Sequence, residues 1–567
     1  MPIVADPEAI TASEVEGRAY RDGVYQSVDE ATLPEAPRTS AFPDPGNGPP
    51  LRHFDAMPRV PKLRHVVGPS MIALGMGLGA GELLLWPNLV ASGGYGILWL
   101  FTIGVLTQFI VISEIERWTI ATGESVFAGM GRLGLRGFWP WFFLVATLAS
   151  FLWPGWAAES ATFVATIVSI LTGTAPLPWQ PIALAMLALI YIALAGSTIV
   201  YNVLEKFEIW LIILFIPLLI VVVLVAGVTL GDAGAVARGM LVITPVPADF
   251  ISGERFPTLV LAVAYAGSGG CLLLGQSLWV RDKGFGMGMF QGRVAGIRGD
   301  NEPLNSTGLA ADASNPTMLG RFLGWMRLAE RELLATFVAL ILLSVFITVL
   351  IVAGTIGTGN PEIAGNLNGM VHDQAAMLAE RAGLAIEAAF LLGGALVLFS
   401  TQIGIVDTVT RITGDIFHER YGRHTRFWTQ KSTFLLFLTV LVVGSMGIIT
   451  ASWIGGDELS QLQPDLLLLI AGPFTITSMW LFALVVGHIN VKLLPRPMTT
   501  PAWKRAGMWW AVVLWGWFAA EQLSRVVIGR VLGDSASAGH VVMHPARAAF
   551  YTLWLGTVVW MGWTMWR

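Results

Sequence analysis

Residues 68–87, GPSMIALGMGLGAGELLLWP, constrain this chain more than any other stretch. The run is apolar and long enough to cross a bilayer. Yet Gly75, Gly77, Gly79 and Gly81 interrupt its middle, and a carboxylate, Glu82, follows at once. Glycine weakens a helix interior by about 1 kcal/mol relative to alanine, so this spacing predicts local unwinding. Inside lipid, backbone groups freed by such a break find no water and must line a protected cavity. Residues 265–278, YAGSGGCLLLGQSL, repeat the device. Paired glycine-interrupted spans in corresponding halves of a chain point to a binding site at the membrane midplane.

The rest of the chain suits a membrane setting: 54% of residues are hydrophobic, 13% are charged and the mean hydropathy is +0.67. These values place it among polytopic membrane proteins. A net charge of −4 spread over many loops gives no argument for a nucleic-acid partner. The single cysteine, Cys271, excludes an intramolecular disulfide and a cysteine-rich metal site. Residues 1–64 are Pro-rich and polar, without the apolar core of a signal peptide; their composition predicts a disordered cytoplasmic tail.

Hydropathy predicts twelve spans near 66–91, 96–117, 138–171, 181–197, 203–229, 256–280, 333–356, 384–410, 430–452, 464–490, 506–526 and 547–566. With the tail inside, 28 Lys and Arg fall on the inner side and 6 on the outer. The positive-inside rule therefore puts both termini in the cytoplasm, and the expected location is a prokaryotic plasma (inner) membrane. The connection 281–332 carries seven basic residues and is expected to be a cytoplasmic insertion with a short amphipathic helix at 318–330. Tryptophans near span ends, such as Trp139, Trp141, Trp509, Trp510 and Trp566, read as interface anchors.

Glycine-broken spans one and six divide the chain into two five-helix units, 65–230 and 255–495, followed by two further helices in 503–567. Gly81-Glu82-Leu83-Leu84-Leu85 matches Gly270-Cys271-Leu272-Leu273-Leu274 locally. An odd number of helices per unit gives the two repeats opposite orientations. The expected fold class is thus an all-α membrane protein with a 5+5 inverted repeat and discontinuous helices one and six.

Several stretches resemble one family. They are Gly68-Pro69 opening span one, Glu116-Arg117 with Ala121-Thr122-Gly123 after span two, and Leu204-Glu205-Lys206 opening span five. Ser400-Thr401-Gln402 within span eight and Asn490-Val491-Lys492-Leu493-Leu494-Pro495 after span ten complete the set. In this order they resemble the Nramp-like transporters of the leucine-transporter-fold group, over roughly residues 64–500. The resemblance implies a secondary transporter, proton-coupled, moving a divalent cation, with no cofactor. The family's metal ligands lie in Asp-Pro-Gly-Asn of helix one and Met-Pro-His of helix six. Here the corresponding positions are similar to Gly79-Ala80-Gly81-Glu82 and Ser268-Gly269-Gly270, without those Asp, Asn and Met ligands. The literal Asp44-Pro45-Gly46-Asn47 lies in the polar tail, some twenty residues before the membrane, and reads as a coincidence.

Without a thioether the site loses its soft ligand, whereas carboxylate, carbonyl and water suit a hard cation. Mg²⁺ keeps several waters and needs few carboxylates, so a hydrated ion fits. The candidate binding residues are Gly77, Gly79, Ala80, Gly81 and Glu82 from helix one, and Ala266, Gly267, Ser268, Gly269, Gly270 and Gln276 from helix six. Thr401 and Gln402 of span eight add to them, and Glu82 is the candidate metal ligand. The same glycines would expose backbone N–H groups to an anionic group, which leaves a small polar organic solute, such as an amino acid or carboxylate, as the alternative cargo.

Ionisable groups within spans are functional candidates because burying them is costly. Glu82, Glu114, Glu116 and Glu159 are the candidates for proton coupling. Glu114 and Glu116 read equally as structural partners of Arg117, and Asp407 with Arg411, four apart in span eight, reads as a salt bridge. Glu521 in span eleven reads as structural. No nucleophile with a base, and no His and carboxylates at ligand spacing, suggests an enzyme. A channel would need a continuous polar pore, which broken helices do not favour.

Overall fold

The computed structural model describes residues 32–63, 68–134, 137–197, 200–253, 255–292, 307–421, 428–455, 462–531 and 544–566. The short strands Arg52–His53 (β1) and Leu309–Ala310 (β2) are the only ones among them, and helices make up the remainder of the regular structure. Among the described residues, nine helices are long and apolar enough to cross a membrane. Three more complete the twelve spans: the 17-residue Trp179–Ala195, the divided span six, and Pro545–Trp566. Below, inner and outer follow the orientation implied by the basic residues.

Span one lies at the centre. Its most apolar window is wholly buried, against 33% in spans five (Leu204–Val225) and nine (Lys431–Ile454), whose side chains face outward. This contrast explains why the glycines are tolerated: neighbouring helices, not lipid, surround the break. Helix one runs Pro69–Gly77, turns, and resumes as a wide five-residue turn, Gly81–Leu85, leading into Trp86–Gly93. Pro87 has no N–H to return to the Leu83 carbonyl, which suits a relaxed turn there. Span six runs Phe256–Ala264 and resumes at Leu272–Lys283. Span three also divides, at Pro154, into Phe138–Phe151 and Gly155–Thr172.

Several elements differ from expectation. The helix predicted at 318–330 is not a separate element. Pro316–Leu333 continues through a wide turn into Ala339–Gly354, so span seven extends inward as one 39-residue rod. Span eight, expected to end near 410, reaches Tyr421; at 1.5 Å per residue its 38 residues measure about 57 Å. Two outer helices, Leu230–Leu241 and Leu367–Ala382, occupy regions read only as loops.

The largest difference is the tail. Residues 32–63 are laid onto the inner face instead of being disordered; residues 1–31 lie outside the described set. β1 pairs in parallel with β2 of the insertion. Trp325 Nε1 donates to Pro58 O at 2.9 Å and Arg321 to Met57 O at 2.7 Å, fastening the tail to the inner extension of span seven. Asp44-Pro45-Gly46-Asn47 forms a turn with Gly46 at φ +54°, a left-handed conformation suited to glycine. A Cβ there would strike the Arg132 carbonyl, which accepts from Asn47 N at 2.9 Å. Arg132 in turn reaches Pro49 O at 2.7 Å and pairs with Glu124, whose carboxylate accepts from Gly308 N at 2.7 Å.

Candidate functional site

The two helix breaks meet. A Cβ on Gly77 would lie 3.1 Å from Gly267 C and 3.3 Å from Ser268 N; one on Gly81 would strike the Tyr265 carbonyl, and one on Gly79 the Thr401 hydroxyl. Close approach between backbones, as much as helix weakening, therefore accounts for these glycines. Gly267 itself has φ +112° and Gly270 φ +62°. Around them, Gly104 lies against Ala266, Gly269 against the Tyr265 ring, and Gly270 against Thr475 and Phe151. Ala80 is buried.

Glu82 stands in the wide turn of helix one, 1% exposed, with neither carboxyl oxygen hydrogen-bonded. Its own carbonyl accepts from Thr348 Oγ1 at 2.8 Å, which pins the turn to span seven. The Gly267 backbone N–H faces the carboxyl group. Two further oxygens near this break are buried without partners: Ser268 Oγ, and Oε1 of Gln108 in span two. Gln108 donates from Nε2 to Ala264 O at 3.0 Å, and its free oxygen would lie 2.8 Å from a Cβ on Gly267. Native interiors pair nearly all their buried polar atoms, so this collection of oxygens is a candidate ligand set.

Other expected site residues are already engaged. Gln402 Oε1 accepts from Ala157 N at 3.1 Å, joining span eight to the second half of span three. Thr401 Oγ1 bonds Val397 O at 3.1 Å and lies 3.4 Å from Gly75 O. Gln276 donates from Nε2 to Glu116 Oε1 at 2.7 Å, deeper along the inner half of span six, while its own Oε1 is buried without a hydrogen-bond partner among the described residues. Glu114 accepts from Arg117, Thr500 (2.6 Å) and Asn490 (3.1 Å), with Lys504 at 3.4 Å, which makes it a structural hub. Glu159 accepts from Asn368 of the outer helix at 2.6 Å and faces the Asp465 carboxyl. Glu521 ties spans eleven and twelve through Arg547 and Tyr551.

Groups not singled out from sequence complete the inner half. Glu208 of span five accepts from Ser400 at 2.6 Å and faces Gly75. Glu332 caps the start of helix one, accepting from Gly68 N at 3.1 Å and from Ser70. Farther in, Asp282, Arg281 and Asp415 join the expected Asp407–Arg411 salt bridge in a chain of ion pairs between spans six and eight. Testing every carboxylate inside a predicted span would have found Glu208; Glu332 lies one residue before predicted span seven, and the inner ends of spans six and eight held the others.

Among the described residues no group of three or more His, Cys, Asp or Glu side chains gathers to hold a metal ion. No family model and no curated protein matches the chain. Among solved structures, it is similar to the Eremococcus coleocola manganese transporter in complex with an aromatic bis-isothiourea substituted compound. The TM-score is 0.61 at 12% identity, covering 89% of this chain and 95% of that one. Two variant structures of that transporter match to the same extent. The likeness shows a predominantly helical fold of the leucine-transporter kind, and the apolar spans of the described residues make it an integral membrane protein. This is the fold implied by the Nramp-like resemblance.

Proposed function

We propose that this chain is a proton-coupled secondary transporter for a hard, hydrated divalent cation such as Mg²⁺. The observation that carries the reading is Glu82: a buried carboxyl with no side-chain or charged partner among the described residues, at the meeting point of two broken helices. A buried carboxylate left ionised and unpaired is penalised by several kcal/mol, so the site calls for a proton or a cation there. Exchange of one for the other is a coupling mechanism. The free oxygens nearby are a carboxylate, a hydroxyl and an amide carbonyl, all hard donors. One carboxylate suits an ion that retains water. In the cycle, spans one and six, with their inner ends held to spans seven and eight, expose Glu82 alternately to each side of the membrane.

The manganese transporter of the same fold supports a cation as cargo, while the donor set here favours a harder one than Mn²⁺. The alternative, a small carboxylate-bearing or amino-acid solute, draws on the backbone amides of the helix-six break. Close packing of Gly77 against Gly267 and Ser268 favours the smaller cargo. Purified protein in liposomes under a pH gradient, offered Mg²⁺, Mn²⁺ and a panel of amino acids, tests the proposal. Mg²⁺ uptake with proton movement, abolished by Glu82→Gln, is expected. Saturable uptake of an amino acid without Mg²⁺ flux would replace it with the alternative.

A further inference from the structure

On the inner face, a cavity of about 770 Å³ separates tail residues 38–45 from the end of span ten. It lies apart from the Glu82 site and has no role in the proposed transport step. Its charged lining is Arg38 from the tail, Lys492 and Arg496 from the end of span ten, and a single acid, Asp44, giving a net charge of +2. Asp44 is committed elsewhere: its Oδ1 accepts from Gly46 N at 2.8 Å, and its own N–H donates to Leu493 O at 2.7 Å. That second bond holds the tail against the end of span ten and brings Arg38 to the same cavity as the other cations. None of the three cations has an ion pair or side-chain hydrogen bond among the described residues.

The buried cations of the inner half, Arg117, Arg132, Arg281, Arg411 and Lys504, all face carboxylates, whereas Arg38, Lys492 and Arg496 are exposed where they line the cavity. Three cations drawn from chain segments some 450 residues apart and set against one carboxylate leave the cavity net positive, a site for an anion. Guanidinium forks match phosphate oxygens in pairs, while the lysine supplies a point charge. The volume lies in the range of small-molecule sites. Phe42, Pro43 and Pro495 add an apolar wall, which suits a phosphate carrying an organic body. We propose that this cavity binds a phosphate-bearing ligand, whose charge bridges the tail to span ten. Its position at the inner end of a span gives access to two sources of that chemistry, an anionic phospholipid headgroup and a soluble phosphate compound.

The full-length protein in neutral detergent is titrated with phosphatidylglycerol, phosphatidylcholine or inorganic pyrophosphate while its Tm is followed. A saturable rise in Tm with phosphatidylglycerol alone identifies a lipid headgroup; a rise with pyrophosphate identifies a soluble phosphate. In the combined variant Arg38→Gln, Lys492→Gln, Arg496→Gln the apparent affinity should fall at least roughly tenfold. Arg59→Gln, the same charge change elsewhere on the tail, should leave it unaltered. Arg38→Gln alone touches no span, so its lowered affinity cannot come from a misfolded membrane core. No saturable shift with either anion, or equal shifts in the wild-type and combined-variant proteins, would overturn the proposal.

Discussion

Arg281, on the inner half of span six, donates to Asp415 of span eight at 2.8 Å. Both side chains are nearly buried, at 6% and 8% exposure, and Ser125 donates to the other Asp415 oxygen at 2.5 Å. The pair thus ties the broken helix of span six to the long rod of span eight.

Breaking this lock should favour the state open to the inside. Removing one partner of a buried pair costs ~3–5 kcal/mol, and Arg281→Gln concentrates that loss in the closed inner state. Gln276→Cys, at a buried position in the same half-helix, provides a probe. Thiol labelling at that position should be slow with Arg281 present and at least severalfold faster in the Arg281→Gln background. Equal rates would mean that the ion pairs do not hold the inner side shut.

The close approaches at the breaks predict a rescue pattern. Gly79→Ala meets a side chain, Thr401, whereas Gly81→Ala meets a backbone carbonyl, that of Tyr265. Overpacking of this kind costs ~1–3 kcal/mol. Uptake lost in Gly79→Ala should return in part with Thr401→Ala, while no side-chain change at Tyr265 should restore Gly81→Ala. Liposome flux on the single and paired variants measures this directly.

Arg132 is the fastener of the tail. Arg132→Gln should expose residues 32–63 to protease and speed amide exchange at Arg52 and Phe54, whose N–H groups bond Gly308 O and Ala310 O at 2.9 Å. Unchanged protection would show that β1 and the Trp325–Pro58 contact suffice to hold the tail.

Asp232 begins the outer helix Leu230–Leu241 in a reciprocal cap with Thr229, accepting from its N–H at 2.9 Å and its hydroxyl at 2.6 Å. Those bonds, the hydroxyl foremost, hold its carboxyl below the usual value of 3.8. A lowered carboxyl stabilises the helix fully above its unfolded value and loses that contribution as pH falls through the folded one. Exchange protection of this helix should therefore be constant near neutrality and decline in acid below pH 3.8. Asp232→Asn should remove the pH dependence.

Features imposed by lipid were readable from residue order alone. Span positions, both glycine breaks and Glu82 follow from the requirement that a bilayer accept only apolar, internally bonded helices. Partnerships were less legible, because they depend on tertiary approach. Gln402 and Gln276 offer the same amide oxygen to a sequence reading, but that of Gln402 is spent on Ala157, whereas that of Gln276 stays unbonded while its nitrogen is held by Glu116. Nothing in the order of span two marks Gln108; the helix-six break packed against it is what singles it out. The tail lacks a hydrophobic core of its own beyond Phe42 and Leu51, which pack with Ala310. Its order is supplied by Arg132 and the insertion, and no local composition could reveal that.

The pairing of β1 with β2 also sets a sequence of events in synthesis. Arg52 and its partner Leu309 are separated by more than 250 residues, and chains grow at about 5–20 residues per second. The tail thus emerges first yet waits roughly 13–50 s at that rate for the strand that receives it. By then the first six spans have been made. The inner cover therefore closes only over a chain whose two broken helices are both already present.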